Sequence, residues 1–427
     1  MKREEEYIMS ESQEIESGER PGWTRHFMGA FPALKHRNYR LYAMSNVVSQ
    51  VGTWLQNVAQ GYMVYEITRS AFWVGFVSAL YFIPILFFSL FAGVLIDKYS
   101  KRRILYITQS SQAILALLLG VLVLMGSVQA VHIAVFAFLL GCANALDMPA
   151  RQTFMLLIVR REDLSSAISL NSGSFNAARI IGPSMAGIAI AQLGIGGAFV
   201  INGLSFIAVL FALYSMRLNE VIHSTHPNPW RAIKEGLSAS FHHPVIRPLL
   251  FMASLAAVFG WSYVAIMPVI AKDIFHQGAQ GLGYLQAAAG FGAVLGAVVV
   301  SSQARRIKPY VFIFSGVSIF SAALVVFSFM TQMQGGMIAL AFAGFGLILM
   351  FSTINATIQH LSPPALRGRI MSVYTLMFIG MSPFGSLVVG LLSDVVSVPN
   401  TLRLNAIMLL IGVCALFVTQ KQLRDVK

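Results

Sequence analysis

The sequence predicts an all-α membrane protein, with twelve transmembrane helices in two pseudo-symmetric six-helix halves and both termini cytoplasmic. Three observations predict it. The 427-residue chain is 56% hydrophobic and only 11% charged, whereas soluble domains are about a quarter charged. Its apolar residues gather into twelve runs, each long enough to cross a hydrocarbon core of about 30 Å. Its basic residues crowd one side of those runs.

The runs cover residues 42–65, 72–96, 104–125, 131–149, 166–191, 197–216, 249–271, 281–301, 310–331, 335–357, 369–391 and 403–420. Helices are the open-ended solution in lipid, because each backbone polar group must be satisfied within its own segment. Of 30 Lys and Arg, 26 fall in tails and loops on one side. Arg69, Lys272 and Arg403 occupy the opposite loops, and Arg179 lies inside a span. The positive-inside rule puts the basic side in the cytoplasm.

Outside the spans, residues 1–22 form an acidic tail expected to be disordered, without the apolar core of a signal peptide. Residues 23–40 mix bases with aromatics as an amphipathic juxtamembrane segment. The two halves are 41–217 and 248–427, joined by a cytoplasmic linker at 218–247. In that linker HSTHPNPW reads as a loop, and RAIKEGLSASF as a helix on the membrane surface or a solvated connector.

The net charge of +13 is spread over short loops and forms no basic stripe, which argues against nucleic acid. Cys142 and Cys414 both lie in apolar spans and read as small packing residues. No Cys/His spacing suits a metal, and no phosphate-binding glycine loop points to ATP. No nucleophile–base constellation suggests an enzyme. The expected partners are lipid, protons and a small-molecule substrate, with no cofactor and a monomeric chain.

The halves echo each other. HRNYRLY before span 1 answers HPVIRPL before span 7, with Arg40 and Arg247 207 residues apart. Gly75-Phe76 answers Gly283-Tyr284 at 208, and Gly93 with Arg102-Arg103 answers Gly296 with Arg305-Arg306 at 203. Ordered matches at a near-constant offset indicate a duplicated six-span unit, which places a substrate site between the halves near the midplane.

Gln50, Thr53, Asn57 and Gln60 share one face of span 1, next to Trp54 and Gly61. A polar stripe there faces protein or water, so it lines a cavity or binds a neighbouring helix. Trp261, Tyr263 and Met267 in span 7 form a candidate aromatic counterpart. Glu66, Asp273 and Asp394 sit at the outer ends of spans. Asp147 and Arg151 are an i, i+4 pair near the inner end of span 4. Arg179 needs a carboxylate, carbonyls, water or an anionic substrate, and Asp147 is the first expected partner. A carboxylate that changes environment between states could trade a proton for substrate.

Two local motifs remain. GVLIDKYSKRR follows span 2, with Gly93 for close helix contact and Asp97 able to accept from a neighbouring helix N-terminus. With Lys98, Lys101, Arg102 and Arg103 it could latch the cytoplasmic side shut; alternatively, Asp97 only ends a helix and the bases only set orientation. NAARIIGPSMAG in span 5 brings Gly182, Pro183, Ala186 and Gly187, a face that can pack closely and bend. SPFGS in span 11, with Pro383 and Gly385, is its counterpart.

These motifs resemble those of the major facilitator superfamily, the first as its loop signature and the second as its antiporter motif. Ser100 stands where the signature usually has a second glycine. SQVGTWLQ, YEITRSAFWVG, LDMPARQ and NSGSFNAARIIGPSMAG narrow the likeness, over about 38–420, to the enterobactin-exporter-like branch, also called transmembrane secretion effectors. The resemblance implies alternating access and proton-coupled export of a drug or siderophore across a bacterial cytoplasmic membrane. It does not supply the acid midway along span 1 or the arginine midway along span 4 that many proton-driven multidrug exporters carry. An importer or facilitator on the same fold, and a non-transporting membrane partner or sensor, are the alternatives.

Overall fold

The computed structural model describes residues 31–218, 229–303, 306–364 and 366–424, without the side chains of 89–91, 93, 94, 97, 229–233, 421 and 424. The acidic tail, residues 23–30 of the juxtamembrane segment, and the surroundings of Gly93 and the Asp97 side chain therefore lie outside the described set.

In chain order the helices are α1 (Arg37–Thr68), α2 (Ala71–Lys98), α3 (Lys101–Leu124), α4 (Ala130–Ile158), α5 (Leu164–Ser215) and α6 (Pro229–His242). They continue with α7 (Ile246–Ile274), α8 (Gly278–Gln303), α9 (Pro309–Phe327), α10 (Met333–Leu361), α11 (Arg367–Val396) and α12 (Val398–Thr419). Among the described residues, ten of them are long and apolar enough to cross a membrane. Two expected spans are joined in α5, which turns at Gly194 (φ 72°, ψ 174°) into two arms; this positive φ suits glycine. The 32-residue α1 is long enough, but its amides lower its apolarity. The linker contributes the 14-residue α6.

Local chemistry sets the ends. Arg69 leaves α1 in the left-handed region at φ 52°, and Ser70 then caps α2 by accepting from the Trp73 N–H at 3.4 Å. Ser100 caps α3, its Oγ accepting from the Arg103 N–H at 3.2 Å. The serine at the unusual signature position thus serves as a helix start. The spans otherwise run close to expectation, except α4, which extends to Ile158 instead of 149. Arg151 is therefore in a helix and not in a loop, because no glycine or proline interrupts 150–158.

The packing is apolar outside and partly polar inside. On α3, Ile107, Ile114, Leu118 and Val121 form an exposed stripe, while Thr108, Gln109 and Gln112 are buried. A water-soluble helix shows the reverse; lipid is the solvent that suits this one.

The internal repeat is visible in the contacts. A Cβ on Gly75 of α2 would lie 2.2 Å from the Ser386 oxygen of α11, and one on Gly283 of α8 would lie 2.4 Å from the Pro183 oxygen of α5. Both seams between the halves therefore close on the glycine matched by the repeat. Within each half a buried asparagine ties the last helix arm to the first helix. Asn202 donates to Gln56 of α1 at 2.6 Å, and Asn405 of α12 donates to Ser262 of α7 at 3.4 Å. Those asparagines are 203 residues apart.

Candidate functional site

A narrow cleft of about 40 Å³ opens between the halves. Trp54 of α1 and Arg179 of α5 form one side, and Trp261, Tyr263, Val264, Met267, Gln286 and leucines of α8 and α10 form the other.

An irregular helix builds the second side. After Leu255, α7 widens into a π turn at Ala256–Gly260 and tightens into a 3₁₀ turn at Trp261–Ile266. Three residues per turn align positions i and i+3. Trp261, Val264 and Met267 accordingly fall in one column on the cleft wall. Of the α1 face, Trp54 lines the cleft. Gln50, Thr53, Asn57 and Gln60 lie off it: Thr53 donates to the Ser49 carbonyl at 2.9 Å, Asn57 is exposed and Gln60 half-buried. The Gln50 Oε1 is buried without a partner among the described residues.

Arg179 sits over the Trp261 ring, 5.6 Å from its centroid. The expected pairing with Asp147 is not formed. Asp147 is buried and fully engaged, accepting from Thr108 and Gln109 at 2.7 Å each and from Arg151 at 2.5 Å. Arg151 also donates to Asn46 of α1, which bonds Asn171 of α5 at 3.2 Å. Arg179 is eight residues beyond Asn171 on the same helix, a rise of about 12 Å, which puts it far from this network. The i, i+4 pairing of Asp147 with Arg151 is present as read from the spacing.

The Gly-Pro face is a contact surface in this conformation. A Cβ on Gly182 would lie 2.4 Å from the Trp54 Cβ, and one on Gly187 would lie 2.9 Å from the Gln280 Cα. In α11, a Cβ on Gly385 would lie 2.7 Å from the Val258 oxygen of α7. Helical geometry continues through Pro183, and the non-helical residue of α5 is Gly194. Pro383 stands in the first turn of the second segment of α11, where its missing N–H costs nothing. In the loop signature, Arg102 donates to the Tyr214 carbonyl at 3.1 Å and lies over Tyr106, while Lys98 lies over Tyr99. Lys101 is half-buried and Arg103 exposed.

The sequence signalled the acids at these span ends without showing what they do. Asp394 of α11 accepts from the Ser70 hydroxyl at 2.7 Å and from the Ala71 and Phe72 N–H groups at 2.9 and 3.1 Å. A carboxylate from one half thus caps a helix of the other. Beside it Lys272 pairs with Glu66, and the Tyr65 hydroxyl donates to Asp273. The buried Gln56 and Asn202 also went unremarked in the sequence; the signal for Asn202 was its 203-residue offset to Asn405.

Residues 28–427 match the family described as transmembrane secretion effector. The multidrug efflux pump Tap of Mycolicibacterium fortuitum is 26% identical, with 88% of this chain and 94% of that protein covered. The staphyloferrin A transporter of Staphylococcus aureus is 25% identical over 86% of this chain and 92% of its own. Among solved structures, a bacterial homologue of the human lysosomal transporter Spinster, inward-facing and unoccupied, superposes with a TM-score of 0.74 at 11% identity, covering 91% of this chain and 97% of that one. The chain therefore belongs to the transmembrane secretion effectors, a family of major facilitator superfamily membrane transporters.

Proposed function

We propose that the protein is a secondary exporter that moves a small amphipathic organic molecule out across a bacterial cytoplasmic membrane, in exchange for protons, by alternating access. The observation that carries this reading is the cleft whose walls are shared by both halves. Rocking one half against the other would expose such a site to one side and then the other. In this reading α1 and the two arms of α5 count as spans, giving twelve, and the basic end faces the cytoplasm. Asp394, Glu66–Lys272 and Tyr65–Asp273 then close the outer side, and the conformation is open inward. The efflux pump among the relatives supports the outward direction. For coupling, we put forward Asp147 with its partner Arg151.

The test is accumulation of candidate drugs and siderophores in deletion and overexpressing cells, with and without an uncoupler. Overexpression should lower accumulation, and the uncoupler should abolish the difference. Uncoupler-insensitive uptake would instead make the protein an importer or facilitator. Unchanged accumulation across a broad panel would favour the non-transporting reading.

A further inference from the structure

Charges on or near the spans are mostly accounted for. Arg151 is paired with Asp147 and Lys272 with Glu66. Arg403 donates to Ser328 at 2.9 Å and to Asn400 at 3.1 Å. Arg179 differs. Among the described residues it meets no carboxylate and makes no hydrogen bond; its neighbour is the Trp261 face. An aromatic face offsets part of the desolvation of a cation, but it cannot accept from the guanidinium's five N–H donors. Those donors border a cleft whose lining is mainly apolar, with Trp54, Trp261, Val264, Met267, Leu285 and Leu340 among it.

We propose that this cleft binds an organic anion: one negatively charged group on the Arg179 guanidinium and an aromatic or other apolar body between Trp54, Trp261 and the aliphatic wall. The proposal rests on the transporter reading and gives that site a substrate class. A carboxylate or similar oxyanion matches the planar donor fork. The Gln286 amide, on the same wall, offers a further polar contact. A neutral or cationic ligand of the same shape would leave the guanidinium unsatisfied, and a cation would add repulsion. The Trp54 ring meets the Phe175 ring edge-on, centroids 6.0 Å apart, which braces it where the apolar body would lie. An inside-negative membrane potential also favours outward movement of an anion.

The test is equilibrium binding of three radiolabelled probes to the purified full-length protein in lipid nanodiscs: 1-naphthoate, 1-naphthalenemethanol and 1-naphthylmethylammonium. They share a ring and differ in charge. Wild type should bind naphthoate about 10- to 100-fold more tightly than the alcohol, as a hydrogen bond to a charged group implies, and the ammonium most weakly. Arg179→Gln should remove the preference for naphthoate while changing alcohol binding less than about twofold, and Arg179→Lys should keep most of it. Equal binding of naphthoate and alcohol by wild type, tighter binding of the ammonium, or no binding of any probe overturns the proposal. So does an Arg179→Gln protein that keeps the preference. The wild-type ratio requires no variant to fold. Because the discs carry no gradient, a failed efflux assay with a preserved anion preference sinks the export reading alone, and the converse sinks only the anion site.

Discussion

Arg151 and Arg179 lie in the same half of the chain, 28 residues apart, and are held in opposite ways. Arg151 is enclosed by a carboxylate and an amide, and those are held in turn by α3 and α5. Four helices meet around that one pair. Arg179 faces a ring and a cleft. A charge with a complete set of partners fixes a conformation, whereas an incompletely partnered charge invites a ligand. The two arginines therefore separate holding the half together from meeting something that arrives.

The largest expected effect breaks the first environment. Arg151→Ala would leave Asp147, which is 3% exposed, without its cation. Breaking a buried pair by removing one partner costs about 3–5 kcal/mol. The purified variant should show a sharply lower thermal midpoint and poor recovery as a monodisperse species. Asp147→Asn/Arg151→Gln, which removes both charges while keeping hydrogen-bonding groups, should regain much of that loss. A midpoint for Arg151→Ala within a degree or two of wild type would mean the network does not hold the half.

The second effect is smaller and of opposite sign. Arg179→Met removes a partly desolvated charge, keeps an unbranched side chain, and gives up the contact with Trp261. The cation–π contact is worth about 0.5–2 kcal/mol, less than the several kcal/mol that desolvation of a charge costs. Net stability should stay level or rise by about 1 kcal/mol, read as a higher thermal midpoint, as residues kept for function often allow. A fall comparable to that of Arg151→Ala would show that Arg179 holds structure, and the contrast between the two arginines would collapse.

Much of this was legible in the sequence, and the limits have physical causes. Apolar runs and loop charges located the helices because lipid tolerates few alternatives. The extent of α4 was missed because Arg151 and Gln152 look like loop residues until Asp147 and Asn46 are seen to enclose the arginine. Trp54 was singled out beside the polar stripe of α1, and Trp261 and Tyr263 as its aromatic counterpart; all three line the cleft, yet the 3₁₀ register that aligns Trp261 with Val264 has no sequence signature beyond nearby Gly260 and Pro268. The Asp147–Arg179 pairing was inferred from scarcity of charge. Separation along α5 defeats it, and a one-dimensional reading shows which charges are few but not how far apart packing sets them.

The smallest effect tests a third way of holding charge, between the halves. Asp394 is exposed, yet both its oxygens serve the first residues of α2. Replacing a capping acid costs about 1 kcal/mol. Here that cost falls only on conformations in which α2 and α11 meet at this end, so Asp394→Ala should shift the balance between states by several-fold while leaving each half folded. The observable is labelling from outside by a membrane-impermeant maleimide of a cysteine placed at Ser78, which faces Ser386 across this seam at 3.3 Å, with Cys142 and Cys414 changed to serine. Labelling should be about fivefold faster with Asp394→Ala, and the thermal midpoint should move much less than for Arg151→Ala. An unchanged labelling rate would mean that the carboxylate only decorates a helix end. A large drop in midpoint would place Asp394 with Arg151 among charges that hold the fold, and leave Glu66–Lys272 as the surviving inter-half ion pair at this end among the described residues.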